Sequence, residues 1–421
     1  MTSVAPDPPG APYRVTEKSM TLNRATRTKR RTAALVMVGL AAGLFPGSEA
    51  AWAAAPNYAA KVDYATGDLP LSVSTGDLNG DGDRDLVTAN QAADTVSVLL
   101  GNGDGTFAAK VDYTTGNGPF SVAVGDVNGD GDRDLVTANL YADTVSVLLG
   151  NGDGTFAAKV DYTTGDQPYS VAAGDFDGDG DLDLVTANQL GNTVSVLLGN
   201  GDGTFAAKVD YTTGSSYVNG GDQPVSVATG DFNGDGDLDL ITANARPDTV
   251  SVLLGTAGGT FGAPVRYSTS NSITGAEGHG PFSVAVGDFN GDGNLDLGAA
   301  NFLAYPSGLG AVMLGNGDGT FAAIIDFATG NRPVSLAAGD LDGDGNLDLV
   351  TANQDPDTVS VLPGNGDGTF AAKIDFATGS GPHSVAVSDL DGDGDLDLVT
   401  ANAFADTVSV LLNNNVALRR R

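Results

Sequence analysis

The chain contains no cysteine, so disulfides, thiolate metal sites and a cysteine nucleophile are all excluded. Two histidines, His279 and His383, and one tryptophan leave little material for an imidazole relay or a histidine-rich metal centre. Glutamate is almost missing: Glu17, Glu49 and Glu277 are the only three among 53 acidic residues, and only 20 residues are basic. The formal charge of −33 excludes nucleic acid and anionic membrane as expected partners, because both demand a basic footprint. The repeated segments show no helical period, and no apolar run reaches the roughly 20 residues that cross a bilayer as a helix. The linear signatures G-x-S-x-G, H-E-x-x-H and the P-loop are absent too, so no catalytic motif is visible and the chain is not expected to be an enzyme.

The N-terminus has its own composition. Lys29-Arg30-Arg31 precedes the apolar segment Ala33 to Leu44, then Pro46-Gly47-Ser48 and the small-residue site Ala51-Trp52-Ala53. That order predicts a secretory signal peptide over residues 1–53 with an extended basic region, hence a secreted, extracellular protein with no membrane insertion after cleavage. A membrane anchor is the alternative, and the segment is short for one. Arg30-Arg31 also permits the twin-arginine route, and Met20 is a second possible start.

What the chain has in abundance is aspartate and glycine, arranged in seven copies of one loop. The copies are Asp77-Leu-Asn79-Gly-Asp81-Gly-Asp83-Arg-Asp85, Asp126-Val-Asn128-Gly-Asp130-Gly-Asp132-Arg-Asp134, Asp175-Phe-Asp177-Gly-Asp179-Gly-Asp181-Leu-Asp183, Asp231-Phe-Asn233-Gly-Asp235-Gly-Asp237-Leu-Asp239, Asp288-Phe-Asn290-Gly-Asp292-Gly-Asn294-Leu-Asp296, Asp340-Leu-Asp342-Gly-Asp344-Gly-Asn346-Leu-Asp348 and Asp389-Leu-Asp391-Gly-Asp393-Gly-Asp395-Leu-Asp397. A period near 49 residues marks a repeat architecture in which each unit buries its apolar face against its neighbours.

Within the second repeat, Ser121 to Asp126, Leu135 to Asn139, Thr144 to Leu149 and Phe156 to Tyr162 read as four short strands joined by glycine-rich turns. The local pattern suits a ring of blades or an open solenoid equally. The ends discriminate. Ala59-Ala-Lys-Val-Asp-Tyr64 repeats the fourth-strand sequence Ala108-Ala-Lys-Val-Asp-Tyr113, while the last repeat stops after its third strand, Thr407 to Leu412. The expected fold is therefore all-β: a seven-bladed β-propeller over residues 54–413, built of four-stranded antiparallel blades and closed by the N-terminal strand, with residues 414–421 as a tail.

Positions 1, 3, 5 and 9 of each loop carry oxygen side chains, and glycine stands at position 6 where the backbone must turn. Ca2+ takes six to eight hard oxygen ligands, often with a main-chain carbonyl at position 7. In the first loop the expected ligands are the side chains of Asp77, Asn79, Asp81 and Asp85 and the carbonyl of Asp83; the other six loops follow the same assignment. Thr88 stands where an EF-hand has its bidentate glutamate, so this is a different calcium loop. Up to seven structural Ca2+ ions are expected, held most weakly by the fifth loop and most tightly by the third and seventh. The Asn-Gly-Asp-Gly segments at Asn102, Asn151, Asn200, Asn316 and Asn365 read as hairpin turns, with a second ion site as the alternative.

The seven loops, the G-D-[FLV]-[DN]-G-D-G phrases and the G-T-F segments resemble the FG-GAP or VCBS repeats of integrin α subunits and many secreted bacterial proteins, over about Asn57 to Asn413. The resemblance implies loops that bind structural Ca2+ on one face and partners that often engage the other. Nothing matches the integrin domains that follow the propeller, so a standalone integrin-like receptor is not expected.

Length variation falls on the face opposite the acidic loops, around the fourth and fifth blades. Tyr217, Asn219, Glu277, His279, Phe302 and Tyr305 lie in those longer connections and are the candidate ligand contacts, with neutral loop drift as the alternative. The expected function is a monomeric binding or adhesion module for an extracellular glycan or protein. A polysaccharide lyase or hydrolase, with Glu277 near His279 as its only hint, and a cell-envelope structural component are the alternatives. His383 reads as a surface residue of an inter-blade connection.

Overall fold

The computed structural model describes residues 56–214, 221–270, 280–302 and 308–414. Five candidate contacts, Tyr217, Asn219, Glu277, His279 and Tyr305, lie outside those residues, as do the expected leader and the tail from residue 415. Among the described residues there is no helix, and none therefore to cross a membrane.

Alternating sequence becomes antiparallel blades. Pro70–Gly76, Asp85–Asn90, Thr95–Leu99 and Val111–Thr114 pair in chain order as the first four-stranded sheet, and six more sheets follow the same plan. The seventh comprises Pro382–Ser388, Asp397–Asn402 and Thr407–Leu411, completed by Val62–Ala65 from the other end of the chain. Val62 pairs with Val410 and Tyr64 with Val408, and Tyr58 bridges Asn413 where an internal blade pairs Phe107 with Gly101. The first strand of every blade packs against its counterparts on both sides, and the last returns to the first, which closes the ring.

The core lies between blades. Val87, Val96 and Val98 of the first blade pack against Val122, Leu135, Leu148 and Phe156 of the second, and equivalent clusters recur around the ring. The first six residues of each second strand are buried, whereas the fourth strands are largely exposed at the rim. There Lys110–Asp112 and its equivalents set charges along the outer edge, where bare strand edges would otherwise invite pairing with other chains.

Two features differ from the sequence reading. The fourth strand of the second blade begins at Val160, because Phe156 leaves the strand after one bridge to Gly150. Its ring instead meets Tyr113 of the preceding blade edge-on, with centroids 5.3 Å apart. His383, expected on the surface, is the second residue of an innermost strand and turns into the central channel.

Each innermost strand slips register just after its leading proline, as between Pro70 and Ser72. The serine at each slip turns toward the next blade. Ser72 accepts a hydrogen bond from Val122 N–H, Ser121 from Val171, Ser170 from Val227, Ser226 from Val284, Ser283 from Leu336, Ser335 from Val385 and Ser384 from Val73. Seven bonds thus make a closed circuit. Ser384→Ala leaves the Val73 N–H unpartnered at the closing boundary and is expected to cost about 1 kcal/mol, read as a lower urea midpoint at unchanged slope.

Candidate metal centres and channel mouth

Each acidic loop joins the first strand of a blade to the second. Asp77 accepts from Gly80 and Gly82 N–H at 2.7 and 3.0 Å, Asn79 from Asp81 N–H, and Asp81 from Asp83 N–H, which winds the loop round a centre faced by oxygens. The side chain at position 7 turns elsewhere: the Asp83 carboxylate lies over Gly103 and that of Asp132 over Gly152. The position 7 side chain is thus turned toward the neighbouring turn.

Position 9 has two tasks. Asp85 is fully buried, and its two oxygens accept from Leu78 N–H and Gly101 N–H, both at 2.7 Å. It ties the acidic loop to the turn after the third strand, and the same pair of bonds recurs at Asp134, Asp183, Asp239, Asp296, Asp348 and Asp397, with Asn413 as donor in the last. Burial pushes the position 9 carboxyls up despite these donors, and neighbouring loop carboxylates add to the rise. Asp348 and Asp397 are pushed up to about 7.

The donor set fits a hard cation. Carboxylate oxygens of Asp175, Asp177 and Asp183, of Asp340, Asp342 and Asp344, and of Asp389, Asp391 and Asp397 lie within 4.8 Å of one another in each group. These are the three loops with Asp at position 3. In the second loop Asp126 Oδ1 is buried without a hydrogen-bond partner, an acceptor aimed at nothing the protein supplies. The Asn-Gly-Asp-Gly segments behave as turns: Asp104 spends one oxygen on both the N–H and the hydroxyl of Thr106, which holds its carboxyl below the usual range.

At the opposite end of the channel the second residues of the innermost strands converge. Phe120, Tyr169, Phe282 and His383 form a closed set of four rings, with successive centroids 3.9, 6.0, 6.2 and 5.3 Å apart. Leu71, Val225 and Val334 fill the remaining perimeter, around a cavity of about 110 Å³. Phe302, the one described residue of the six candidate contacts, packs 5.3 Å from Phe282 and carries the Arg332 guanidinium 4.9 Å above its ring. Burial raises the Tyr169 hydroxyl to about 12, and the nearby Tyr141 hydroxyl adds to the rise. Sequence reading missed this cluster; its signal was a single position that varies from blade to blade while its neighbours stay fixed.

His383 Nδ1 lies 2.8 Å from the Leu71 carbonyl, and enclosure by protein lowers its pKa to about 4. A folded value below the ordinary 6.5 means that folding expels the proton. The stability contributed by neutral His383 is complete above pH 6.5 and lost as pH falls toward 4, by at most about 1.4 kcal/mol per pH unit. His383→Phe is expected to show a shallower fall than the wild type across that window, measured as the difference between their urea-unfolding free energies.

The chain matches the model of the FG-GAP-like repeat over residues 77–137, 126–186, 175–242, 231–299, 301–351 and 340–400. No curated protein matches it. Among solved structures it is similar to BBS1N crystallised in complex with ARL6DN, at 10% identity and a TM-score of 0.57, covering 86% of this chain and 98% of that one. A putative 6-phosphogluconolactonase from Bacteroides uniformis shares 16% identity at a TM-score of 0.55, covering 73% and 86% of the two chains. The periplasmic gluconolactonase of Pseudomonas aeruginosa shares 15% at 0.54, covering 79% and 88%. At such identities these structures speak for the fold alone, whereas the repeat matches run through most of the chain: it belongs to the FG-GAP-like repeat family as a seven-bladed propeller.

Proposed function

We propose that the protein is a secreted, Ca2+-stabilised propeller that binds an extracellular glycan or protein through the face opposite its acidic loops. The observation that carries this reading is the aromatic surface of that face. Tyr141, Leu190 and Phe404, in turns between second and third strands, are 54%, 48% and 68% exposed, and Tyr141 adjoins the ring cluster at the channel mouth. Exposed tyrosine and phenylalanine over a rigid scaffold supply contact area at little entropic cost. The leader sequence suits an extracellular setting, and so would Ca2+ sites with the affinity of about 10⁻⁴ to 10⁻³ M common in extracellular modules.

Two measurements test the reading. If Ca2+ occupies the loops, a concentration ten to a hundred times Kd stabilises the fold by about 1.4 to 2.7 kcal/mol per occupied site, so EDTA lowers the melting temperature; an unchanged melting temperature refutes the ion assignment. In a glycan and protein screen in Ca2+ buffer, Tyr141→Ala is expected to weaken the ligand found by about tenfold, the loss of one aromatic anchor. A ligand indifferent to Tyr141→Ala and Phe404→Ala together would place binding elsewhere. Turnover of a polysaccharide or lactone substrate, abolished by Glu277→Gln, would favour the enzymatic reading instead.

A further inference from the structure

One position of the acidic loop departs from the repeat beside two surface clefts. Position 8 is leucine in five loops, and Leu182, Leu238, Leu295, Leu347 and Leu396 each reach across a blade boundary. Their methyls press on Gly125, Gly174, Gly230, Gly287 and Gly339 at the ends of the preceding innermost strands, so closely that a Cβ there would lie 2.6 to 3.0 Å away. At those five boundaries a leucine covers the end of the innermost strand. In the first two loops position 8 is arginine, Arg84 and Arg133, and at the boundary before Arg84 the packing glycine is replaced by Ser388.

At the other two boundaries no position 8 leucine covers the strand end, Val124 meeting Gly76 instead at one of them, and clefts lie on the acidic-loop face. One, of about 360 Å³, lies between the first and second blades and is lined by both Arg84 and Arg133 with Asp77, Asp132 and the bare backbone of Gly80 and Gly131. The other, of about 460 Å³, lies between the seventh and first blades and shares Gly82 and Arg84 with it, adding Ser388 and Asp389. The two are therefore contiguous. Both arginines are exposed, and neither makes an ion pair or hydrogen bond among the described residues, although carboxylates line the same walls. A guanidinium fork left open in a polar cleft is a receptor for a planar oxyanion.

We infer that Arg84 and Arg133 form a second binding site, on the acidic-loop face, for a saccharide bearing a carboxylate. The two forks take the carboxylate, while the aspartates, the glycine carbonyls and the Ser388 hydroxyl accept or donate to sugar hydroxyls. The walls are mostly polar, with Leu78 in the first cleft and Val387, Leu390 and Leu396 in the second as apolar patches of the size a sugar ring face covers, which favours a polyhydroxylated ligand. The net charge of −33 disfavours a dense polyanion, so the fitting ligand is a short uronate-containing oligosaccharide and not a sulfated polymer. This site is separate from the aromatic face, and either can fail without the other.

The test is calorimetry of the full chain in Ca2+ buffer with trigalacturonate as probe and maltotriose as its neutral control. Trigalacturonate is expected to bind and maltotriose is not. Arg84→Gln with Arg133→Gln removes both forks without pressing a leucine methyl onto the Ser388 Cβ, so the variant is expected to melt no lower than the wild type while binding the uronate at least about tenfold more weakly. Arg84→Lys with Arg133→Lys keeps both charges but loses the forks, and is expected to weaken binding as well. Undetectable trigalacturonate binding, equal binding of maltotriose, or full affinity in either double variant overturns the proposal.

Discussion

The interaction on which the structure depends is the buried carboxylate at position 9 of each acidic loop. A charged group at full burial is tolerated only when its oxygens are occupied, and Asp85 fills both with main-chain N–H donors from two different connections. One side chain thereby fixes where the first strand ends, where the second begins and how the turn after the third approaches them. Glycine is needed at that approach, because a Cβ on Gly101 would lie 2.3 Å from the Arg84 carbonyl. The next blade builds on the result: Gly154 N–H donates to the Leu78 carbonyl, and Tyr113 OH to the carbonyl of Gly154. Local acid, blade geometry and blade-to-blade contact are one connected arrangement.

The same arrangement explains why so much was legible in the sequence. Strict alternation in Thr144 to Leu148 and the matching ends at Tyr64 and Leu411 each depend on a periodicity that a chain displays directly. Other features are legible only from across the ring. Ser72 looks like an ordinary polar residue of an alternating strand until its register slip turns it toward Val122. Phe156 follows a turn and precedes a strand, so local pattern assigns it to that strand; its actual partner, Tyr113, belongs to another blade. His383 carries no motif because its surroundings come from Leu71, Phe120 and Phe282, far away along the chain.

Departures from the repeat carry more functional information than the repeat itself. Constant positions build the scaffold seven times over. Where the scaffold relaxes, the substitutions are local and coordinated: in the fourth blade Arg266 stands at the usual aspartate of the fourth strand and pairs at 3.1 Å with a buried Asp222. In the fifth, Ala299 and Ala311 replace the threonine and serine of the buried network, and Asn301 Oδ1 loses its donor. The fold tolerates such a loss because each blade is braced by two neighbours, and the variation then becomes available to the faces of the ring.

The circuit of seven serine bonds also governs how the molecule is made and unmade. Joining Val73 to Ser384, or Ser409 to Asp63, closes chain segments of 311 and 346 residues. The entropy of such closures must be met before the contacts they create are gained, so assembly is slow for a chain whose blades are individually local. Disassembly meets the same barrier from the other side. An open stack of repeats frays from its ends, but a ring has no end to fray from, and loss of one blade strands the faces of two others. Persistence of the folded form is then governed by the rate of first rupture and not by the stability of any single blade.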